Sequence, residues 1–169
     1  MLNAFFWGKL RDPDVADAVE ALRVDTLRFF VGTTAAAYAA WHTVNVVVVT
    51  GQGGEPLEIL KFWALVPFVA WTVSGTCLLW PRTTHGAIAH FLAGGVISIS
   101  AAIWLLQATP PTLLYSLVVL VAVVLWNPAA GVATLLGSIM LLVGVATSTS
   151  VPGLSAARVW ETAGMGLLT

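Results

Sequence analysis

Long apolar runs and short polar breaks divide this chain into five stretches: Phe29–Thr50, Ile59–Trp80, Gly86–Gln107, Thr112–Trp126 and Ala130–Ser150. A helix of about 20 mostly apolar residues crosses a bilayer core. The links are short and rich in helix breakers, Gly-Gln-Gly-Gly-Glu-Pro-Leu-Glu at 51–58 and Ala-Thr-Pro-Pro at 108–111. The pattern predicts an all-α fold, a polytopic transmembrane helical bundle of five spans in which sequential helices are antiparallel neighbours. The fourth run is the shortest and ends at Asn127-Pro128, a dipeptide that marks a tight turn.

Ahead of the first run, Asp12 is placed to cap a helix that has Pro13 at its first position, with Asp14 and Asp17 at its positive end. Val15, Val19, Leu22, Thr26 and Phe29 form a mostly apolar stripe, with Asp14, Asp17 and Asp25 to one side of it. This predicts an N-terminal cytoplasmic amphipathic helix that runs into the first span, with Phe5, Phe6 and Trp7 in the membrane interface. Its role reads either as an interfacial anchor or as a docking helix for signalling. The expected organisation is residues 1–28 as the cytoplasmic segment, 29–150 as the five-span bundle, and 151–169 as an extracytoplasmic tail or the start of a sixth span.

Composition strengthens the membrane reading. The 169 residues are 59% hydrophobic and 9% charged, and mean hydropathy is +0.92, whereas soluble domains carry about 25% charged residues. A net charge of −1 offers no basic patch for nucleic acid. One cysteine, Cys77, excludes a disulfide framework within the chain. Lys9, Arg11, Arg23, Arg28 and Arg82 fall on one side of the expected spans and only Lys61 and Arg158 on the other. That bias places the N-terminus in the cytoplasm, with the protein multi-pass in the cell inner membrane.

The first run is not uniformly apolar. Thr34, Tyr38, His42 and Asn45 recur at spacings of four, four and three, so on a helix they form one polar stripe. In hydrocarbon a hydroxyl, amide or imidazole needs a partner, so the stripe faces protein, water or a ligand. One reading is interhelical hydrogen-bond glue, each contact worth about 0.6–2 kcal/mol. The other is a binding site for an apolar ligand, lipid or partner helix, since ionisable groups within the membrane mark functional sites. Trp41 and Trp71 lie near mid-span, at the expected depth of His42, and would wall such a site. His42 could ligate a haem or chlorophyll-type pigment singly, or hydrogen-bond a quinone. His42 and His90 differ in expected depth by about 15 Å, too far to share one haem iron.

In the third run Gly86, His90, Gly94, Ser98 and Ala102 recur every four residues. Small residues at that spacing let another helix approach closely, so this seam is expected to pack a helix, with His90 hydrogen-bonding across it. In the second run Thr72 and Thr76 pair on one face, and Pro67 is placed to kink the helix. Trp7, Trp63, Trp80, Trp104, Trp126 and Trp160 fall near span ends, as an aromatic belt requires.

No Asp, Glu, Lys or Arg lies deep in any expected span, which argues against proton pumps and ion-coupled transporters. No phosphate loop, carboxylate pair, Cys/His metal cluster or nucleophile–base motif occurs in the sequence, which disfavours an enzyme. Several features align in order: the lead-in from Asp12-Pro13 to Arg28, the basic connection Trp80-Pro81-Arg82, a short fourth run ending Trp126-Asn127-Pro128, and Arg158-Val159-Trp160 before the apolar Gly164–Leu168. In this layout the chain resembles the multi-span N-terminal membrane (sensor) modules of bacterial sensor histidine kinases. The resemblance is architectural and carries no diagnostic motif. It implies a sixth span and a cytoplasmic domain beyond Thr169. The expected function is therefore a non-catalytic membrane domain that senses or anchors. The alternative is an accessory subunit of a larger respiratory or photosynthetic complex, touching a pigment or quinone. Either role expects the lipid bilayer and other membrane helices or subunits as partners, in a homo- or hetero-oligomer.

Overall fold

The computed structural model describes residues 13–107 and 113–148. The expected interfacial residues Phe5, Phe6 and Trp7, the Asp12 cap, the Pro110-Pro111 connection and the 151–169 segment lie outside them. The fold is all-helical, with no strand among the described residues: α1 (Pro13–Gly51), α2 (Pro56–Leu79), α3 (Thr84–Leu106), α4 (Leu113–Leu125) and α5 (Pro128–Ser148). Three of these, α2, α3 and α5, are long and apolar enough to cross a membrane, which marks the chain as a membrane protein.

The other two helices differ from a simple span. α1 is one unbroken helix of 39 residues, about 58 Å long at 1.5 Å per residue, so the amphipathic and apolar segments merge without a joint. α4 has 13 residues, or about 20 Å, against a hydrocarbon core of about 30 Å.

Helices α2, α3 and α5 start two or three residues ahead of their apolar runs, because a first-turn proline or a capping side chain rather than hydropathy sets each start. Pro56 opens α2 behind Glu55. The Thr83 hydroxyl accepts from the Gly86 N–H at 3.2 Å at the start of α3. The Asn127 side chain accepts from the Ala130 N–H at 2.8 Å behind Pro128, so only Trp126 and Asn127 separate α4 from α5. In the link after α1, Gly53 takes φ 71°, a conformation that costs a residue with a Cβ and suits glycine.

Helix α3 is the centre of the bundle: nine of its residues are buried, against three on α2 and two on α5. Its first half packs Ile88, Phe91 and Leu92 against Leu27 and Val31 of α1 and Val121, Ala122 and Leu125 of α4. Its second half packs Val96, Ile99 and Ile103 against Tyr115 of α4, whose hydroxyl pairs with Ser100 Oγ at 2.6 Å. Large apolar side chains on the outside, such as Leu78, Leu113 and Met140, are more than two-thirds exposed. Lipid is the medium that makes such a surface favourable.

The tightest helix pair is α2 with α3, and two glycines explain it. A Cβ on Gly94 would lie 2.5 Å from Thr72 Oγ1, and one on Gly75 would overlap the His90 imidazole. Each helix thus offers a glycine gap to a side chain of the other. Thr72 is buried, bonds back to Phe68 O at 2.8 Å and sits 3.2 Å from Ser98 Oγ. At the Trp80 end of this pair, the Arg28 guanidinium bonds Asp25 at 3.2 Å and lies 4.7 Å from the Trp80 ring centre. Nearby in sequence, His85 meets Trp126 edge to face at 5.9 Å.

Candidate functional site at the α1–α2 contact

The polar stripe of α1 lies on the inward side of the helix. Thr34, Tyr38, His42 and Asn45 are all half-buried, in register with buried Leu27 and Val31, whereas Gly32, Ala36, Ala40, Val44 and Val47 on the opposite side are exposed. The 3.6-residue period produces this split. Asn45 turns its amide back to Trp41 O at 2.7 Å, and Thr43 bonds Ala39 O at 2.8 Å.

Tyr38 and His42 have no such outlet. Tyr38 Oη and both ring nitrogens of His42 are buried and lack any hydrogen-bond partner among the described residues. A buried polar atom without a partner costs about 1–3 kcal/mol, so three of them in one spot form a substantial local deficit.

Aromatic rings close around these atoms. His42 stacks on Tyr38 at 5.7 Å and meets Trp63 edge to face at 4.9 Å. Trp41 lies 5.9 Å from Tyr38 and 5.7 Å from Phe62. The result is a run of five rings, Phe62–Trp41–Tyr38–His42–Trp63, spanning α1 and α2. Trp41 and Trp63 are 39% and 54% exposed, so they form the outer wall and the imidazole and phenol the inner one.

Trp71 is not brought to this cluster. It meets His90 edge to face at 4.5 Å, and its carbonyl pairs with His90 Nε2 at 3.2 Å. The reason is hairpin arithmetic. The chain turns between Gly51 and Pro56, which sets His42, nine residues before the turn, beside Trp63, seven residues after it. Trp71 stands eight residues further along α2, about 12 Å deeper. Phe62 and Trp63 take the place expected of Trp71. The sign available in the sequence was a pair of adjacent rings, Phe62-Trp63, six and seven residues past the turn, close to the nine and ten that separate His42 and Trp41 from it.

Along the α3 seam, His90 sits over Gly75, Gly94 receives Thr72, and Ser98 pairs with Thr72. Gly86 instead serves the start of α3, where its nearest neighbour is the capping Thr83.

Chemically, a neutral imidazole offers one donor and one acceptor, and a phenol offers both. That suits a ligand carbonyl or hydroxyl. Ligation of a planar metal macrocycle needs an open approach to a ring nitrogen, whereas Tyr38 and Trp63 pack directly against this imidazole. Among the described residues no three His, Cys, Asp or Glu side chains gather as a metal site. Comparison of the chain with protein-family models, with curated proteins and with solved structures finds no match.

Proposed function

We propose that this chain is a non-catalytic, multi-pass inner-membrane domain that senses or anchors by binding an apolar ligand, lipid or partner helix at the α1–α2 aromatic cluster. The observation that carries this reading is the partnerless Tyr38 hydroxyl and His42 imidazole beneath Trp41 and Trp63. A mostly apolar molecule with one carbonyl or hydroxyl gives a partner to the Tyr38 hydroxyl and to one His42 ring nitrogen by displacing a tryptophan wall. In this reading all five helices sit in the membrane with the N-terminus cytoplasmic, and the charged first turns of α1 project beyond the bilayer.

The continuity of α1 supplies a mechanism. His42 lies 29 residues from Pro13 on one helix, about 44 Å. A ligand wedged between α1 and α2 tilts a rigid rod, and the tilt reaches the segment with the Glu20–Arg23 and Asp25–Arg28 ion pairs. The kinase-module resemblance agrees with output on that side.

Titration of the nanodisc-embedded protein with decylubiquinone, read by tryptophan quenching, tests the site. Saturable quenching is expected in the parent chain and a loss of saturation in the Tyr38→Phe/His42→Leu double variant. Identical titrations for the two proteins would remove the site from consideration. An accessory-subunit role predicts a visible absorption band that copurifies with the chain, and a colourless, monodisperse preparation counts against it.

A further inference from the structure

A second feature lies at the end of the bundle where α2 begins and α3 and α5 end. There an open cleft of about 630 Å³ has an apolar wall of Leu60, Ala64 and Trp104 and a polar mouth of Lys61, Gln107 and Ser148. Lys61 is half-buried on the first turns of α2. The ion pairs among the described residues are Arg23–Glu20 and Arg28–Asp25, so the Lys61 ammonium has no carboxylate within reach there. Glu58, one turn away, sets its carboxylate beside Gly54 in the connection. Gln107 gives one amide hydrogen to Trp104 O at 2.6 Å, which leaves its second N–H free to donate.

An uncompensated ammonium at the end of a membrane helix is drawn to anionic head groups. The wall below it is apolar and open to the side: Leu60 and Trp104 are 61% and 52% exposed. One positive charge above a hydrocarbon-lined slot matches a molecule with a negative head and an aliphatic tail. We propose that this cleft binds one anionic phospholipid of the surrounding leaflet. Its phosphate lies at Lys61 Nζ and the Gln107 amide, and an acyl chain runs along Leu60, Ala64 and Trp104. The site is independent of the Tyr38–His42 cluster and stands whether or not that cluster binds a ligand.

Native mass spectrometry of the full chain, released from nanodiscs of mixed phosphatidylglycerol and phosphatidylcholine, tests the site. One retained phosphatidylglycerol is expected. Lys61→Gln lowers that occupancy about five- to tenfold, the worth of one lysine at an anionic head group. Lys61→Arg keeps it, and Arg82→Gln, in the exposed connection between α2 and α3, leaves it unchanged. Inorganic phosphate added in excess does not displace the lipid; displacement would overturn the lipid assignment in favour of a free anion. In the unaltered fold, brominated phosphatidylglycerol quenches tryptophan emission more than brominated phosphatidylcholine, and Trp104→Phe removes the difference. Equal occupancy in Lys61→Gln, or equal quenching by the two brominated lipids, overturns the proposal.

Discussion

Replacing Gly94 by alanine tests the closest approach in the bundle. The added Cβ would stand 2.5 Å from Thr72 Oγ1 and 2.7 Å from its Cγ2. Thr72 has no escape: it is 2% exposed, its side chain is β-branched, and its hydroxyl is held by Phe68 O and Ser98. The helices must separate, at an overpacking cost of about 1–3 kcal/mol, and the Thr72–Ser98 contact, worth about 0.6 kcal/mol, is lost. The better helix propensity of alanine returns about 1 kcal/mol. The net expectation is a loss of about 1.5 kcal/mol. Gly75→Ala costs less than Gly94→Ala, because the group it displaces is the far end of half-buried His90, although the bond to Trp71 O is lost with it. Gly144→Ala, with nothing within 4 Å of the new atom, is neutral or stabilising. The assay is reversible unfolding in mixed micelles with increasing SDS, read by far-ultraviolet circular dichroism. Equal stability of Gly94→Ala and Gly144→Ala would refute the close-packing argument.

Tyr115→Phe removes the buried bond to Ser100 and lowers stability by about 0.6–1.7 kcal/mol in the same assay. Asn127→Ala removes the cap of α5 and costs about 1 kcal/mol, while Asn127→Asp retains most of it. Arg28→Gln removes both the Asp25 pair and the stacking on Trp80, and costs no more than about 1 kcal/mol because the pair is exposed; its effect shrinks with added salt if the ion pair dominates.

The helices were legible because long apolar runs alternate with breakers, and three of the runs form helices long and apolar enough to cross a membrane. The inward stripe was legible because polar groups at spacings of three and four share one face. Helix starts were less so: Pro56 at a first turn and the Thr83 and Asn127 caps are single residues that an apolar run does not register. The partner of His42 was misplaced for a geometric reason. Estimating depth from the middle of each run put Trp71 beside it, whereas depth is set by distance from the turn, which selects Phe62 and Trp63. The reciprocal fit of Thr72 over Gly94 and His90 over Gly75 was half visible. The small-residue seam of α3 announced a close approach, but Gly75 on α2 gave no pattern of its own.

Tyr38→Phe, the loss of a single oxygen, tests whether the Tyr38 hydroxyl is held without a partner until a ligand arrives. Measured on ligand-free protein by reversible unfolding, the variant is expected to be more stable than the parent by about 1 kcal/mol, since it removes an unsatisfied buried group. A loss of about 1 kcal/mol or more would show instead that the hydroxyl already has a hydrogen-bonding partner within the bundle and serves as glue.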